Sequence, residues 1–205
     1  MIYALLVPLV GALIPLMNSV NSVLAARVGN ALSSVIIHMA GLTAVSAVLL
    51  VRREGPKGGR AEGRAPFYLY LAGIVGVGTV YSCNLAYGAL GASLSVALAL
   101  FGQMLGSVAV DATGLLGRKK YPFSLRNVPG LLIAAAGVAV ISWGEWKMEI
   151  PYLALAFVSG LLPLLSFILN SQLAGHIGVL RGTRVNYLVG LATSLLILAL
   201  PGALP

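Results

Sequence analysis

Charge is what this chain has least of. Asp, Glu, Lys and Arg make up 9% of its 205 residues, against roughly 25% in soluble domains. Hydrophobic residues make up 59%, and the mean hydropathy is +0.98. A water-soluble domain is excluded, and the long apolar runs place the chain among integral membrane proteins. The runs lack the alternating ten-residue pattern of an outer-membrane barrel, so the class is an all-α, polytopic helical bundle. Cysteine occurs once, as Cys83, which excludes an intrachain disulfide. With two histidines, five acidic residues and neither His-Glu-x-x-His nor Gly-x-Ser-x-Gly, an enzyme, a metal centre and a cofactor are not expected. The first run lacks a basic leader and continues to Ala26, so it reads as a retained span.

What is present is a series of about seven transmembrane spans, near residues 2–26, 31–51, 67–88, 93–116, 128–144, 151–174 and 185–202. The longest connection, Arg52 to Ala65, is polar and Gly-rich and has no Gly-Lys-Ser/Thr phosphate-binding signature. The net charge of +8 lies in short loops, a pattern that points to membrane topology and away from nucleic acid. Arg52, Arg53, Lys57, Arg60, Arg64, Arg118, Lys119, Lys120, Arg126, Arg181 and Arg184 fall on one side, while only Arg27 and Lys147 fall on the other. The positive-inside rule then makes the N-terminus cytoplasmic and the C-terminal side external. Trp143, Trp146 and Tyr152 form an aromatic belt at the outer interface.

The chain also repeats itself at an offset of 149 residues. Gly11 aligns with Gly160, Asn21-Ser22 with Asn170-Ser171, Leu24-Ala25 with Leu173-Ala174, Gly29 with Gly178, and Gly41-Leu42 with Gly190-Leu191. Five spans separate the starts of the two copies, so the copies run in opposite directions. The expected organisation is a five-helix inverted-topology repeat, residues 1–147, followed by the start of a second repeat, residues 148–205, with its last three helices missing. Pro205 aligns with Pro56, where the long loop would begin. The chain therefore reads as a piece of a ten-helix protein, or as a homodimer or half completed by a partner chain.

Polar residues inside apolar spans are costly and mark candidate sites. Span one carries Gly11, Pro15, Asn18, Asn21 and Ser22 at helical spacing. Pro15 removes a backbone donor and frees a carbonyl near Gly11. Span six repeats the arrangement with Gly160, Pro163, Asn170 and Ser171. These amides either line a shared cavity or hold helices together. His38 in span two either serves a substrate or proton, or bonds a neighbouring carbonyl; Tyr187 matches it in the repeat. Tyr81 and Asn84 in span three line a cavity or meet the outer interface, and Tyr87 reads as a belt residue. In span four Gln103, Ser107 and Asp111 share one helical face. Asp111 is the only acid within a span, and it couples protons or anchors to Arg118, Lys119 or Arg126. The small-molecule binding set is thus Asn18, Asn21, Ser22, His38, Tyr81, Asn84, Gln103, Asn170 and Ser171, with Asp111 as the proton-coupling acid.

At these residues the chain resembles a known family. GALIPLMNSVNSVLAARVG near the N-terminus, Gly-Gln-x-x-x-Ser-x-x-x-Asp of span four followed by Gly114, and Pro129-Gly130-Leu131-Leu132 with Ala136-Gly137-Val138 are similar to the bacterial YdcZ-type family of the drug/metabolite transporter superfamily. The resemblance implies a bacterial inner-membrane protein of inverted five-helix repeats that exports small molecules or metabolites. Span one has no acid where the superfamily's small multidrug exporters carry a glutamate. The leading expectation is a secondary exporter working by alternating access, and the alternative is a non-transporting membrane subunit or scaffold.

Overall fold

A computed structural model describes the backbone of residues 2–52, 64–117, 119–121, 124–143 and 150–202. It is helical, with no strand among the described residues. In order the helices are α1 (Ile2–Val28), α2 (Asn30–Val51), α3 (Ala72–Thr113), α4 (Val128–Ile141), α5 (Ile150–Ile177) and α6 (Val179–Leu198), with a 3-10 turn, Phe67–Leu71, leading into α3.

Single glycines make the sharpest junctions. Gly29 joins α1 to α2 at φ 82°, ψ 158°, and Gly178 joins α5 to α6 at φ 94°, ψ 157°. This backbone region is essentially closed to residues with a Cβ. Gly91 adopts the same geometry inside α3, φ 75° and ψ 170°. An unbroken helix of 42 residues would run about 63 Å, twice the roughly 30 Å hydrocarbon core. The break divides α3 into a first arm before Gly91 and a second arm after it, each about 30 Å long.

Three segments are long and apolar enough to cross a membrane by length and composition: Asn30–Val51, Phe67–Thr113 and Ile150–Ile177. The apolar α4 is shorter, at 14 residues, and buries none of its described side chains. Leu132 and Ile133 on α4, and Leu13, Leu16, Met17 and Val20 on α1, are exposed. Outward-facing aliphatic residues on this scale belong to a protein whose solvent is lipid. Trp143 is 82% exposed at the end of α4; Trp146 and residues 53–63 of the long loop lie outside the described residues. One sequence expectation needs correcting: Arg181 and Arg184 lie within α6, which begins at Val179, six residues before the expected span. Gly178 turns the chain in one residue, so no loop is needed to hold them.

Small residues set the packing. The second arm of α3 crosses α5 where a Cβ on Gly160 would strike the Ala99 carbonyl, and a Cβ on Gly102 would strike the Phe157 carbonyl. Each helix thus admits the other's backbone. Nearby, Leu69 and Ala72 meet Leu169 and Leu173 in a buried apolar cluster, and the Ser166 hydroxyl donates to the Ala72 carbonyl at 3.3 Å.

Candidate functional site

The prolines of α1 and α5 stand on the same cavity. Its volume is about 220 Å³, and its wall takes Gly11, Ile14, Pro15 and Asn18 from α1 and Ser159, Gly160, Pro163 and Phe167 from α5. The first arm of α3 adds Cys83 and Tyr87, and the second adds Val96, Ala99, Leu100 and Gln103. Spacings of three and four residues put Gly11, Pro15 and Asn18 on one stripe, and likewise Ser159, Pro163 and Phe167. Proline has no N–H, so Pro15 and Pro163 deprive the carbonyls four residues earlier, Gly11 and Ser159, of their helical donors. Both residues lie in the cavity wall.

Most of the wall's polar side chains already have partners. Asn18 lies beside the Tyr87 hydroxyl, and Cys83 lies beside Ser159. The Ser159 hydroxyl also donates to the Ala156 carbonyl at 2.7 Å. Gln103 is the exception: half-buried, its amide bonds no other described residue.

Gln103 also opens onto a second recess of about 550 Å³, with Phe101, Met104, Ser107, Ala134, Val138 and Leu164. Ser107 and Leu164 continue into a third of about 270 Å³ that holds Asp111, Phe167 and Ser171. The stripe Gln103, Ser107 and Asp111 therefore runs along neighbouring hollows that share Ser107 and Leu164 in their walls. Lys119 forms no ion pair with Asp111 among the described residues; its ammonium stands 5.8 Å from the centre of the Tyr121 ring. The Arg118 and Arg126 side chains lie outside the described residues.

The other expected site residues are dispersed. Asn21 borders a separate apolar groove on α1 with Leu13, Leu16, Met17 and Val20, and half-buried Ser22 lines none of these hollows. Asn170 has a buried Oδ1 without a partner and does not join Asn21. Tyr81 has a buried hydroxyl without a hydrogen-bond partner, and Asn84, 6% exposed, has neither amide atom bonded. Neither borders the four hollows described above. Tyr87, read from sequence as a belt residue, is instead buried in the cavity wall. Its signal was the four-residue spacing from Cys83, which puts both on one face.

His38 is also away from the cavity. It is buried between α2 and α6, where its Nδ1 donates to the Ser34 carbonyl at 2.8 Å. The Ser34 hydroxyl lies 2.8 Å from that of Ser194. A Cβ on Gly190 would strike the His38 ring, and a Cβ on Gly41 would strike the Tyr187 ring. The two rings meet edge-on, 6.3 Å between centres. His38 and Tyr187, like Gly41 and Gly190, are 149 positions apart, so the interface is reciprocal.

A model of the protein family described as "Putative inner membrane exporter, YdcZ" matches residues 2–140. No curated protein and no solved structure matches the chain. The match takes in α1 to α4 and both arms of α3, and the α5 wall of the cavity lies beyond it.

Proposed function

This chain belongs to the YdcZ family of inner-membrane exporters, and we propose that it is a secondary transporter whose substrate sits in the cavity between α1, α3 and α5. The observation that carries this reading is the pairing of Gly11 with Pro15 and of Gly160 with Pro163 on one cavity wall. Proline-interrupted helices from two copies of an inverted repeat are the usual frame of a transporter site near the membrane midplane. In this reading seven spans cross the membrane with the N-terminus cytoplasmic, as the division of basic residues favours. Access alternates as α1 moves against α5, with the packed pair α2 and α6 as the pivot. Asp111, at the far end of the hollows that begin at Gln103, is the coupling acid.

Cys83 is the chain's only cysteine, and it lines the cavity, so it reports access without any substitution. A charged, impermeant methanethiosulfonate should modify it in both right-side-out and inside-out membrane vesicles. Prior treatment with N-ethylmaleimide should abolish both signals. Reaction from one side only, or from neither, would defeat alternating access at this cavity.

One observation favours a second reading, that of a half completed by another chain. Gly160 is closed by the Ala99 carbonyl, whereas a Cβ on Gly11 would have nothing within 4 Å. The α1 side of the pseudo-symmetric pair is therefore bare. Gly11→Cys in a Cys83→Ser background should cross-link to a second protein if that face is covered by one; exclusively monomeric product at full labelling would dismiss the idea.

A further inference from the structure

The cavity wall itself narrows the substrate. Resting on the transporter reading, we infer that the site takes a small uncharged molecule with an apolar, planar body and an edge of N–H donors beside an acceptor, the pattern of a carboxamide. Among the described residues, no charged side chain lines the cavity. Asp111 follows Gln103 by eight helical positions, about 12 Å along the axis. A cationic or anionic substrate would be buried there with no counter-charge, which is the costly case in a low-dielectric interior.

What the wall offers instead is hydrogen bonding of a particular kind. The carbonyls of Gly11 and Ser159, which lack their helical donors through Pro15 and Pro163, are acceptors. The Gln103 amide supplies both a donor and an acceptor, and no described residue occupies it. Asn18 has the Tyr87 hydroxyl beside it and Cys83 has Ser159, while the Ser159 hydroxyl donates to the Ala156 carbonyl. Gln103 is therefore the residue that reads the polar edge, while Tyr87 and Phe167 give the aromatic surface for a flat body. A volume of about 220 Å³ admits a molecule of one ring and lies below the usual drug-sized range of roughly 300 to 1,000 Å³.

Benzamide, benzamidine and benzoate are nearly identical in shape and differ in charge, so they isolate this point. The measurement is the rate of Cys83 alkylation by N-ethylmaleimide in the purified full chain, with each compound titrated in turn. Benzamide should protect Cys83 with an affinity about tenfold tighter than either charged compound. Gln103→Glu should reverse the order by placing a carboxylate at the polar edge, so that benzamidine protects best. Gln103→Leu, similar in volume, should lose the benzamide preference while a purely apolar probe, toluene, protects as in the parent, and it serves if the glutamate variant does not fold. Equal or better protection by benzamidine or benzoate in the parent chain, or none by benzamide, overturns the inference. Two-sided labelling of Cys83 in vesicles is a separate measurement, so the class of substrate can fail while the transporter reading stands.

Discussion

Two pairs of helices bring together positions that stand 149 residues apart in the chain, and they are built in opposite ways. Where α2 meets α6, each helix seats a ring against the other's glycine: His38 on Gly190 and Tyr187 on Gly41. The serines beside them, Ser34 and Ser194, are fully buried and bonded to each other. Where α1 faces α5, the arms of α3 come between and leave a cavity, and the two matching glycines differ. Gly160 is closed by backbone and Gly11 is bare. An interface of rings set into glycines cannot slide without a steric clash, because packed interiors are bistable and do not deform smoothly. A helix with open space beside it can move. In the proposed transporter, α2 with α6 would then be the fixed axis and α1 the mobile wall.

The contrast between Gly160 and Gly11 should give the largest measurable difference. In Gly160→Ala the new methyl meets the Ala99 carbonyl, which as backbone cannot rotate away, so α3 and α5 must separate. The expected loss is about 3 kcal/mol, the upper part of the overpacking range. Gly11→Ala meets nothing and should be neutral, or more stable by up to about 1 kcal/mol, through the helix preference of alanine over glycine. Thermal unfolding in detergent compares the two directly, and equal shifts would erase the asymmetry.

A smaller effect is expected at the fixed axis. Gly190→Ala pushes on the His38 ring, which is a side chain and has some freedom to yield, so the cost should be about 1–2 kcal/mol. Combining it with His38→Ala should restore part of the loss, since two residues in contact do not act additively. Strict additivity in the double variant would show that the ring and the glycine are not the source of the strain.

Asp111→Asn should have the least effect on stability, within about 0.5 kcal/mol, because Lys119 forms no ion pair with it among the described residues. If Asp111 couples protons, the ratio of Cys83 labelling from the two sides of the membrane should depend on pH in the parent chain and lose that dependence in Asp111→Asn. A variant that folds poorly would mark an anchor, and one with an unchanged pH profile would remove the acid from the mechanism.

Much of this arrangement was legible along the chain. Lipid imposes its demand locally, through the length and apolarity of each run, so most helices could be read to within a few residues, and α6 was misplaced at its start by six. The offset of 149 residues likewise pointed to Gly11 and Gly160, with Pro15 and Pro163 one position out of register, before any of them had a position in space. The limit was reached at the polar residues. Asn18 and Asn21 are three positions apart, about 4.5 Å along the helix and about 60° around it. That is enough to put one in the cavity and the other on an apolar groove. His38 of α2 looked like a site residue because buried polarity is common to sites and to packed interfaces alike, and only the partner helix distinguishes the two.

By itself, then, the sequence determined the membrane class, the family, and the scarcity of charge that bears on substrate and mechanism, because each follows from composition or from motifs close together in the chain. Which face of each helix turns inward was decided only in three dimensions. Rotation about a helix axis costs little in uniform lipid, and the close approach of Ala99 to Gly160 and of His38 to Gly190 is what sets it.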